Sequence, residues 1–345
     1  MKNYRSLRNR SGTISFLLNK KSVMIFLFLF CLALLLFVIG LSVGSTMINP
    51  LVIIQHLLGL GNEEYTFIIE TLRLPRMILA LLVGAALGVS GLLLQGIVRN
   101  PLASPDIIGI TGGASVAAVV FITYFSEISI KWLPLVAIIG AGIVSVMIYL
   151  LAWKKGVTPI RLVLIGIGVQ AGMGSLVTML IVLSPTYSTS EAYIWLTGSV
   201  YGANWENVYS MLPWVLIFVP LAFFFSREVN IQELGDEVAL GLGSRVQFQR
   251  FNLLFISVAL AGSAVAFAGG IGFVGLIAPH IARKLVGRSF GSLVPISALI
   301  GGIIVFSADV VARTAFIPMD LPAGVFVSGI GAPFFIYLLY RNRHQ

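Results

Sequence analysis

The stretch VMIFLFLFCLALLLFVIGLSV occupies residues 23–43 and carries no charge along its 21 residues. A helix needs about 20 mostly apolar residues to cross a lipid bilayer, so this run predicts a membrane-spanning helix. Lys20 and Lys21 precede it. Because the apolar core of a signal peptide has only about 7–15 residues, we expect an uncleaved first helix.

Comparable apolar runs recur to the end of the chain. Together with the first they predict ten spans, at residues 23–43, 76–96, 107–125, 132–152, 160–183, 206–225, 251–269, 272–287, 293–312 and 322–340. A further short helix outside the membrane is expected at 190–202, and the longest polar stretches are 1–22, 44–75 and 226–250. Since the spans take up most of the 345 residues, the fold class is an all-α polytopic membrane protein without a soluble catalytic domain.

The composition agrees with a membrane location. Hydrophobic residues make up 58% of the chain and charged residues 10%, whereas a soluble domain carries roughly 25% charged residues. This excludes a cytosolic enzyme, a disordered chain and a nucleic-acid-binding module. The single cysteine, Cys31, excludes an intramolecular disulfide and a cysteine-based metal cluster, and the three histidines are too scattered to predict a metal site.

The distribution of Lys and Arg predicts the orientation, because cytoplasmic loops of membrane proteins are enriched in both. With the N-terminus inside, 18 of the 22 basic residues fall on the inner side. The outer side holds only Arg73, Arg76, Lys131 and Arg313. An even number of spans also returns the C-terminus to the inside. The net charge of +9 therefore indicates basic cytoplasmic loops rather than nucleic-acid binding.

Arg73, Arg76 and Arg313 are exceptions to this trend, and their position alone leaves two explanations open. They could contact lipid headgroups at the membrane surface, or they could serve a specific function such as binding a partner.

Many glycines lie inside the predicted spans. Gly84 with Gly88, and Gly168 with Gly172, have the G-x-x-x-G spacing that allows two helices to pack closely in lipid. We expect most of them to serve helix packing, and a subset to line a pathway or interrupt a helix.

The sequence lacks the usual signatures of catalysis and of ion coupling. Nearly all of the 13 carboxylates fall in loops or at span ends, and Asp309 alone lies within a span, near its end. An ion-coupled carrier normally needs charged groups at mid-membrane. There is no Gly-Lys dipeptide and hence no P-loop for a nucleotide; Gly270, Gly272 and Gly275 fit G-x-G-x-x-G but more simply predict a turn between two spans.

The longest inner loop contains LGDEVALGLG at 234–243. Its pattern predicts a short helix that carries Asp236 and Glu237 and ends at glycines. It is either a solvated loop or a docking element for a cytoplasmic partner that supplies energy.

Several motifs together resemble one known family. They are RLPR at 73–76, GAALGVSG at 84–91, Gln95, RNPLA at 99–103 with Pro105, WLTGS at 195–199, LGDEVALGLG at 234–243, GFVGLIAPHIAR at 272–283, ADVVAR at 308–313 and GAPFF at 331–335. In this order, from about residue 70 to 340, they are similar to the FecCD family, the iron-siderophore and vitamin B12 type of ABC importer permease. The chain departs from the family at Asp320, where Glu is common, at Ala323, where Val is common, and at 288–290.

The resemblance implies a fold and a set of partners. The fold is about ten transmembrane helices of the vitamin B12 permease type, with a basic cytoplasmic segment at 1–22 and a permease domain at 23–345 whose cytoplasmic coupling loop is about 226–250. The partners are two ATP-binding cassette subunits, an extracytoplasmic substrate-binding protein, a second permease subunit that is a copy or a paralogue, and membrane lipid, with no nucleic acid. This chain would bind no cofactor, and ATP-Mg would bind in the partner ATPase.

The resemblance also implies roles for individual residues. Arg73, Arg76 and Arg313 match family positions that meet glutamates of the binding protein. The ATPase-coupling segment would comprise Leu234, Gly235, Asp236, Glu237, Ala239, Gly241 and Gly243. The two cytoplasmic gate segments would comprise Asn100 and Leu102 in one and Thr158, Pro159 and Ile160 in the other. No catalytic residue and no metal ligand is implied.

The sequence thus predicts a multi-pass permease of the cytoplasmic (inner) membrane, with both termini cytoplasmic, that imports an iron(III)-siderophore. Within the family the alternative cargo is vitamin B12 or haem. An ion-coupled secondary transporter is the alternative from another class, and a membrane enzyme is a third.

Overall fold

A computed structural model of the chain describes residues 4–8, 15–61, 63–125 and 127–341. Fourteen α-helices form in this part of the chain. They are α1 (Lys20–Ser42), α2 (Pro50–Leu57), α3 (Leu74–Val98), α4 (Ile110–Tyr124), α5 (Leu133–Ala152), α6 (Pro159–Leu183), α7 (Thr186–Thr197), α8 (Trp205–Phe224), α9 (Ser226–Gln232), α10 (Asp236–Gly241), α11 (Val246–Ala268), α12 (Val274–Val286), α13 (Phe290–Thr314) and α14 (Ala323–Arg341). Each of the ten predicted spans corresponds to one of these helices.

The ten helices differ in length. Among the described residues, eight helices are long and apolar enough to cross a membrane. The other two, α4 with 15 residues and α12 with 13, are shorter than the roughly 20 residues that a full crossing needs. Each begins after a residue in the left-handed conformation, Gly109 before α4 and Phe273 before α12, so the chain bends sharply where these helices start.

Helix α3 is the centre of the bundle. Most of its residues are buried, and it packs against α13, α11, α12 and α8. Helices α1, α6 and α14 lie at the periphery and leave most of their apolar surface exposed, as expected of helices that contact lipid or another subunit.

The glycines of α3 explain how its neighbours approach so closely. A Cβ on Gly84 would lie 2.1 Å from the carbonyl oxygen of Gly301 in α13, and a Cβ on Gly91 would lie 1.9 Å from that of Gly275 in α12. Packing is therefore confirmed as the role of the 84–88 pair. In contrast, a Cβ on Gly168 or on Gly172 would meet no atom within 4 Å, so this second pair does not pack within the chain.

Strands occur before the first helix. Strand β1 (Tyr4–Arg8) pairs antiparallel with β2 (Ser15–Asn19), with Tyr4 opposite Asn19. The predicted basic segment 1–22 therefore includes a hairpin and the first turn of α1. Its remaining residues, 1–3 and 9–14, and the C-terminal residues 342–345 lie outside the described residues.

The polar stretches hold more helix than predicted. Stretch 44–75 contains α2 and a π-helical segment, Phe67–Arg73, that runs directly into α3. Stretch 226–250 contains α9, α10 and the first turn of α11, which begins at Val246 rather than at 251. The predicted helix at 190–202 is α7. The glycines at 269–272 form the predicted turn between α11 and α12.

Candidate functional site

The two ends of α3 carry the residues that the sequence singled out. With 25 residues, α3 is about 37 Å long. Arg76 lies in its first turn and Arg99 follows its last residue. Each end is the centre of a separate polar network.

At the first end, Arg76 binds two carboxylates. Its Nε and Nη2 donate to Asp309 of α13 at 3.0 and 2.8 Å, and its Nη1 and Nη2 donate to Asp320 at 2.6 and 2.8 Å. The ring of Tyr201 lies 5.5 Å from the guanidinium carbon. Asp309 is 1% exposed, and a buried charge is tolerated when a partner of opposite sign holds it with good geometry.

The other two arginines bind the end of α1. Arg73 donates to the carbonyls of Leu41, Ser42 and Thr46, and Arg313 donates to the carbonyl of Gly40. The last carbonyls of a helix lack partners within the helix and carry partial negative charge, so cations stabilise them. We call the five residues Arg73, Arg76, Arg313, Asp309 and Asp320 the arginine cluster.

The structure thus brings the three predicted docking arginines together, but each has partners within the chain. Arg73 is 5% exposed and Arg76 8% exposed, while Arg313 is half-buried. The Asp320 side chain is the most accessible of the cluster's two carboxylates, with 26% of its surface exposed. A docking protein would therefore meet Asp320 before it could reach Arg76.

At the other end, the predicted coupling segment forms α10. Asp236 and Glu237 lie in its first turn, and Gly235 before it and Gly243 after it have positive φ angles of +110° and +83°. Ala239 is the residue of this helix that points into the protein. Gly241 is the last residue of α10.

The outer side of this segment is strongly apolar. Leu234, Val238, Leu240 and Leu242 are all exposed. Because a soluble surface rarely leaves a group of large apolar side chains in water, such a group is typical of a surface that contacts another protein or the membrane.

The two predicted gate segments lie at this same end. Asn100 follows Arg99, a left-handed residue that ends α3, and its side chain accepts a hydrogen bond from the Leu102 amide at 2.9 Å. Thr158 precedes α6, which begins at Pro159, and Ile160 in its first turn is exposed.

Asp236 joins these segments to the coupling segment. Its carboxylate accepts hydrogen bonds from Arg99 and from Arg250 of α11. Burial raises the pKa of Asp236, but the hydrogen bonds and charges of the two arginines outweigh it and hold that pKa below its usual value. The carboxylate is therefore ionised at neutral pH.

The stretch 279–283, part of the motif GFVGLIAPHIAR, also lies near this end. Arg283 donates to Oε1 of Gln95, whose Nε2 donates to the Gly275 carbonyl at 3.3 Å. The His280 ring meets Phe334 edge-on. Among the described residues, no group of three or more His, Cys, Asp or Glu side chains is arranged to hold a metal ion.

Sequence reasoning missed several partners in these networks. The sequence places Asp309 inside a span, where a carboxylate needs a basic partner, but that partner, Arg76, lies 233 residues away. Arg250 is the last residue of the predicted polar stretch 226–250, whereas it lies in α11 and is 0% exposed. No local signal pointed to Gln247, which binds the loop before α6.

Known proteins are similar to this chain over most of its length. A "probable siderophore transport system permease protein" of Bacillus subtilis (strain 168) is 48% identical over 94% of this chain and 97% of the relative. An achromobactin transport system permease protein of Dickeya dadantii (strain 3937) is 48% identical over 91% of this chain and 90% of the relative.

A solved structure has the same fold. It is a chain of a metal-chelate type ABC transporter in an inward-facing conformation, with a TM-score of 0.81 and 31% identity over 92% of this chain and 99% of that chain. The description of the FecCD transport family matches residues 32–341. On these grounds the chain belongs to the FecCD transport family, as a multi-pass membrane permease.

Proposed function

We propose that this chain is the permease subunit of an ABC importer that carries an iron(III)-siderophore across the cytoplasmic membrane. ATP hydrolysis in two separate cassette subunits drives the transport. The observation that carries the proposal is the similarity along nearly the whole chain to permeases named for siderophore and achromobactin transport. The fold shared with a metal-chelate type ABC transporter supports the mechanism.

The exposed apolar surface around α10 supports a cytoplasmic partner. Leu234, Leu240 and Leu242 would pack into a groove on the ATPase, and Asp236 would fix the segment to the rest of the permease. Closure of the ATPase would then move α10 and, through it, the gate segments 100–102 and 158–160. ATP-Mg would bind in the ATPase, and no chemistry on the nucleotide would fall to this chain.

The arginine cluster supports an external partner at the opposite end. Three cations and two carboxylates leave an excess of one positive charge there. Glutamates of a substrate-binding protein would complement it, and such rim charges chiefly fix the register and accelerate association. To reach Arg76, a glutamate would have to displace Asp320. Arg313 is the most accessible of the three arginines, so a glutamate could bind it more easily.

The separation of the two networks along α3 supports the proposed orientation. The arginine cluster would face outward, and Asp236 with its arginines would face the cytoplasm, as would both termini. The exposed face of α6 around Gly168 and Gly172 leaves room for the second permease subunit, either a copy or a paralogue.

The experiment that tests the proposal measures uptake in right-side-out membrane vesicles from cells that lack this chain and from cells that carry it. Radiolabelled ferric hydroxamate, catecholate and citrate-type siderophores are added outside with the binding protein, and haem and labelled vitamin B12 serve as further cargo. Loss of one siderophore class, restored by the gene, is the expected result. Loss of vitamin B12 or haem uptake alone would instead overturn the cargo.

Two further arms test the source of energy. Uptake should stop when the vesicles contain no ATP and should persist when a protonophore collapses the proton gradient in ATP-loaded vesicles. The opposite pattern would indicate an ion-coupled secondary transporter and overturn the proposal.

A further inference from the structure

Arg250 is an unusual residue for the interior of this protein. It lies in the second turn of α11 and is 0% exposed. Its Nη2 donates to both carboxylate oxygens of Asp236, at 2.8 and 3.0 Å. A buried guanidinium is costly unless a carboxylate compensates it, so this bond fixes the first residue of α10 to α11.

A second arginine binds the same carboxylate from the end of α3. Arg99 follows the last residue of α3 and has a left-handed φ of +56°. Its Nε donates to the Gln232 carbonyl at 2.7 Å, and its Nη2 donates to Asp236. The next residue along the chain is Asn100, the first of the gate segment 100–102. The side chain of Arg99 therefore connects the start of α10 to the residue that precedes this segment.

Arg250 also binds the residue that precedes the other gate segment. Its Nη1 donates to the carbonyl of Val157, one residue before Thr158. Gln247, one turn earlier in α11, accepts from the Val157 amide at 2.9 Å and donates to the Val157 carbonyl at 3.3 Å. Both backbone groups of Val157 are thus bound by side chains of α11. The residue that precedes the segment 158–160 is therefore fixed to this helix.

The two routes meet at one carboxylate. Two guanidinium groups bind Asp236. Arg99 directly precedes Asn100 in the chain, and Arg250 binds the carbonyl of Val157, the residue before Thr158. Charge-assisted hydrogen bonds are the strongest side-chain bonds and have restricted geometry, so they transmit a displacement better than apolar contacts that can slide.

We propose that Asp236 is the positioning residue that links movement of α10 to both gate segments, through Arg99 to 100–102 and through Arg250 and Val157 to 158–160. The proposal rests on the proposed function, since it assumes an ATPase that moves α10. Two connections, which we call arms, therefore start at Asp236: one runs through Arg99 and the other through Arg250 and Val157. Loss of Arg99 breaks one arm, loss of Gln247 weakens the other, and loss of the Asp236 carboxylate breaks both.

The test uses the full transporter, with its ATPase and binding protein, in proteoliposomes. Cys31 is replaced by serine, and a single cysteine is introduced by Leu102→Cys or by Ile160→Cys. The rate of labelling by a soluble maleimide is measured with and without ATP and vanadate. In the otherwise unchanged protein, nucleotide should alter the rate at both positions.

Variants in the two arms should change the labelling response at different positions. With Arg99→Gln, the ratio of the two rates should fall to about 1 at position 102, because nucleotide no longer distinguishes two states of that segment, and should be retained at position 160. Gln247→Ala should reduce the response at 160 only. Asp236→Asn should abolish both responses and lower the cargo transported per ATP by roughly tenfold, with partial rescue by Asp236→Glu.

The matched control is Glu206→Gln, which removes an exposed ion pair with Lys131, 2.7 Å long, far from α10. It should leave both responses unchanged. A merely structural role for Asp236 predicts that Arg99→Gln and Gln247→Ala reduce both responses together, and that result would overturn the proposal. Because Arg99 is partly exposed, its variant leaves no buried unpaired charge and remains informative if Asp236→Asn does not fold.

Failure of the proposed function has a different signature. If nucleotide alters neither rate in the protein that carries only the introduced cysteine while ATP still drives uptake, only the present proposal is overturned. If uptake is also independent of ATP, the proposed function is overturned as well. If both rates respond and Asp236→Asn responds equally, only the role of Asp236 is refuted.

Discussion

Replacing Gly84 by alanine should force α3 and α13 apart. A Cβ at this position would lie 2.1 Å from the Gly301 carbonyl oxygen, whereas ordinary van der Waals contact begins at 3.4 Å. The helices would have to separate locally by about 1.3 Å, the difference between the two distances. The obstacle is backbone on both sides, since a Cβ on Gly301 would lie 2.1 Å from the Gly84 carbonyl.

The cost follows from this geometry. Overpacking a close-packed site costs about 1–3 kcal/mol, and rigid backbone neighbours place Gly84→Ala at the upper end. Alanine regains up to about 1 kcal/mol through its higher helix propensity. The net loss is therefore about 2 kcal/mol, which corresponds to a fall in Tm on the order of 4 °C.

The matched control is Gly142→Ala in the middle of α5, where a Cβ would meet no atom within 4 Å. It introduces the same methyl group into a spanning helix without a clash, so its Tm should stay the same or rise. Both variants can be compared by thermal unfolding of the purified protein in detergent. Equal Tm values for the two variants would refute the packing argument.

Three further outcomes are expected at the polar networks. Asp309→Asn should destabilise the protein by about 3 kcal/mol, more than Asp320→Asn, because Asp309 is 1% exposed and the Asp320 side chain 26%; thermal unfolding of both variants checks the order. Asp320→Asn should strengthen association with the binding protein roughly two- to fivefold, since it frees one side of Arg76; calorimetric titration would contradict this if affinity fell. The pKa of Asp236 is lowered, because Arg250 and Arg99 outweigh burial, so its stabilising effect is present above about pH 3.9 and is lost as pH falls through the lower pKa of the folded state. The Tm difference between the unchanged protein and Asp236→Asn should accordingly stay constant from about pH 8 to pH 5 and shrink below about pH 4.

The helices could be predicted from the sequence because a membrane-spanning helix needs a long run of apolar residues, which is recognisable in the sequence itself. Helix α11 begins at Val246 rather than at the predicted residue 251, and the difference has a physical reason. The charge of Arg250 is typical of a loop residue, and its bonds to Asp236 and to the Val157 carbonyl permit it to lie in a buried helix. When the partner of a buried charge lies elsewhere in the fold, the neighbouring sequence does not show that the charge is buried.

The same limit applies to the glycines and the arginine cluster. The G-x-x-x-G spacing occurs at Gly84 with Gly88 and at Gly168 with Gly172. Only the first pair packs within the chain, because a close contact also requires a neighbouring helix on that side. The motif RLPR drew attention to Arg76, but its partners Asp309 and Asp320 lie 233 and 244 residues further on. Motif matching identified important positions and could not supply their contacts.

The end of α1 has a consequence for the order in which the protein matures. Its carbonyls at Gly40 and Leu41 are bound by Arg313 and Arg73, which lie 273 and 32 residues later in the chain. At about 5–20 residues per second of synthesis, the ribosome makes Arg313 roughly 14–55 s after it has made Gly40. Helix α1 is therefore synthesised well before Arg313 is available, and a nascent chain that stops before α13 leaves the Gly40 carbonyl without that arginine.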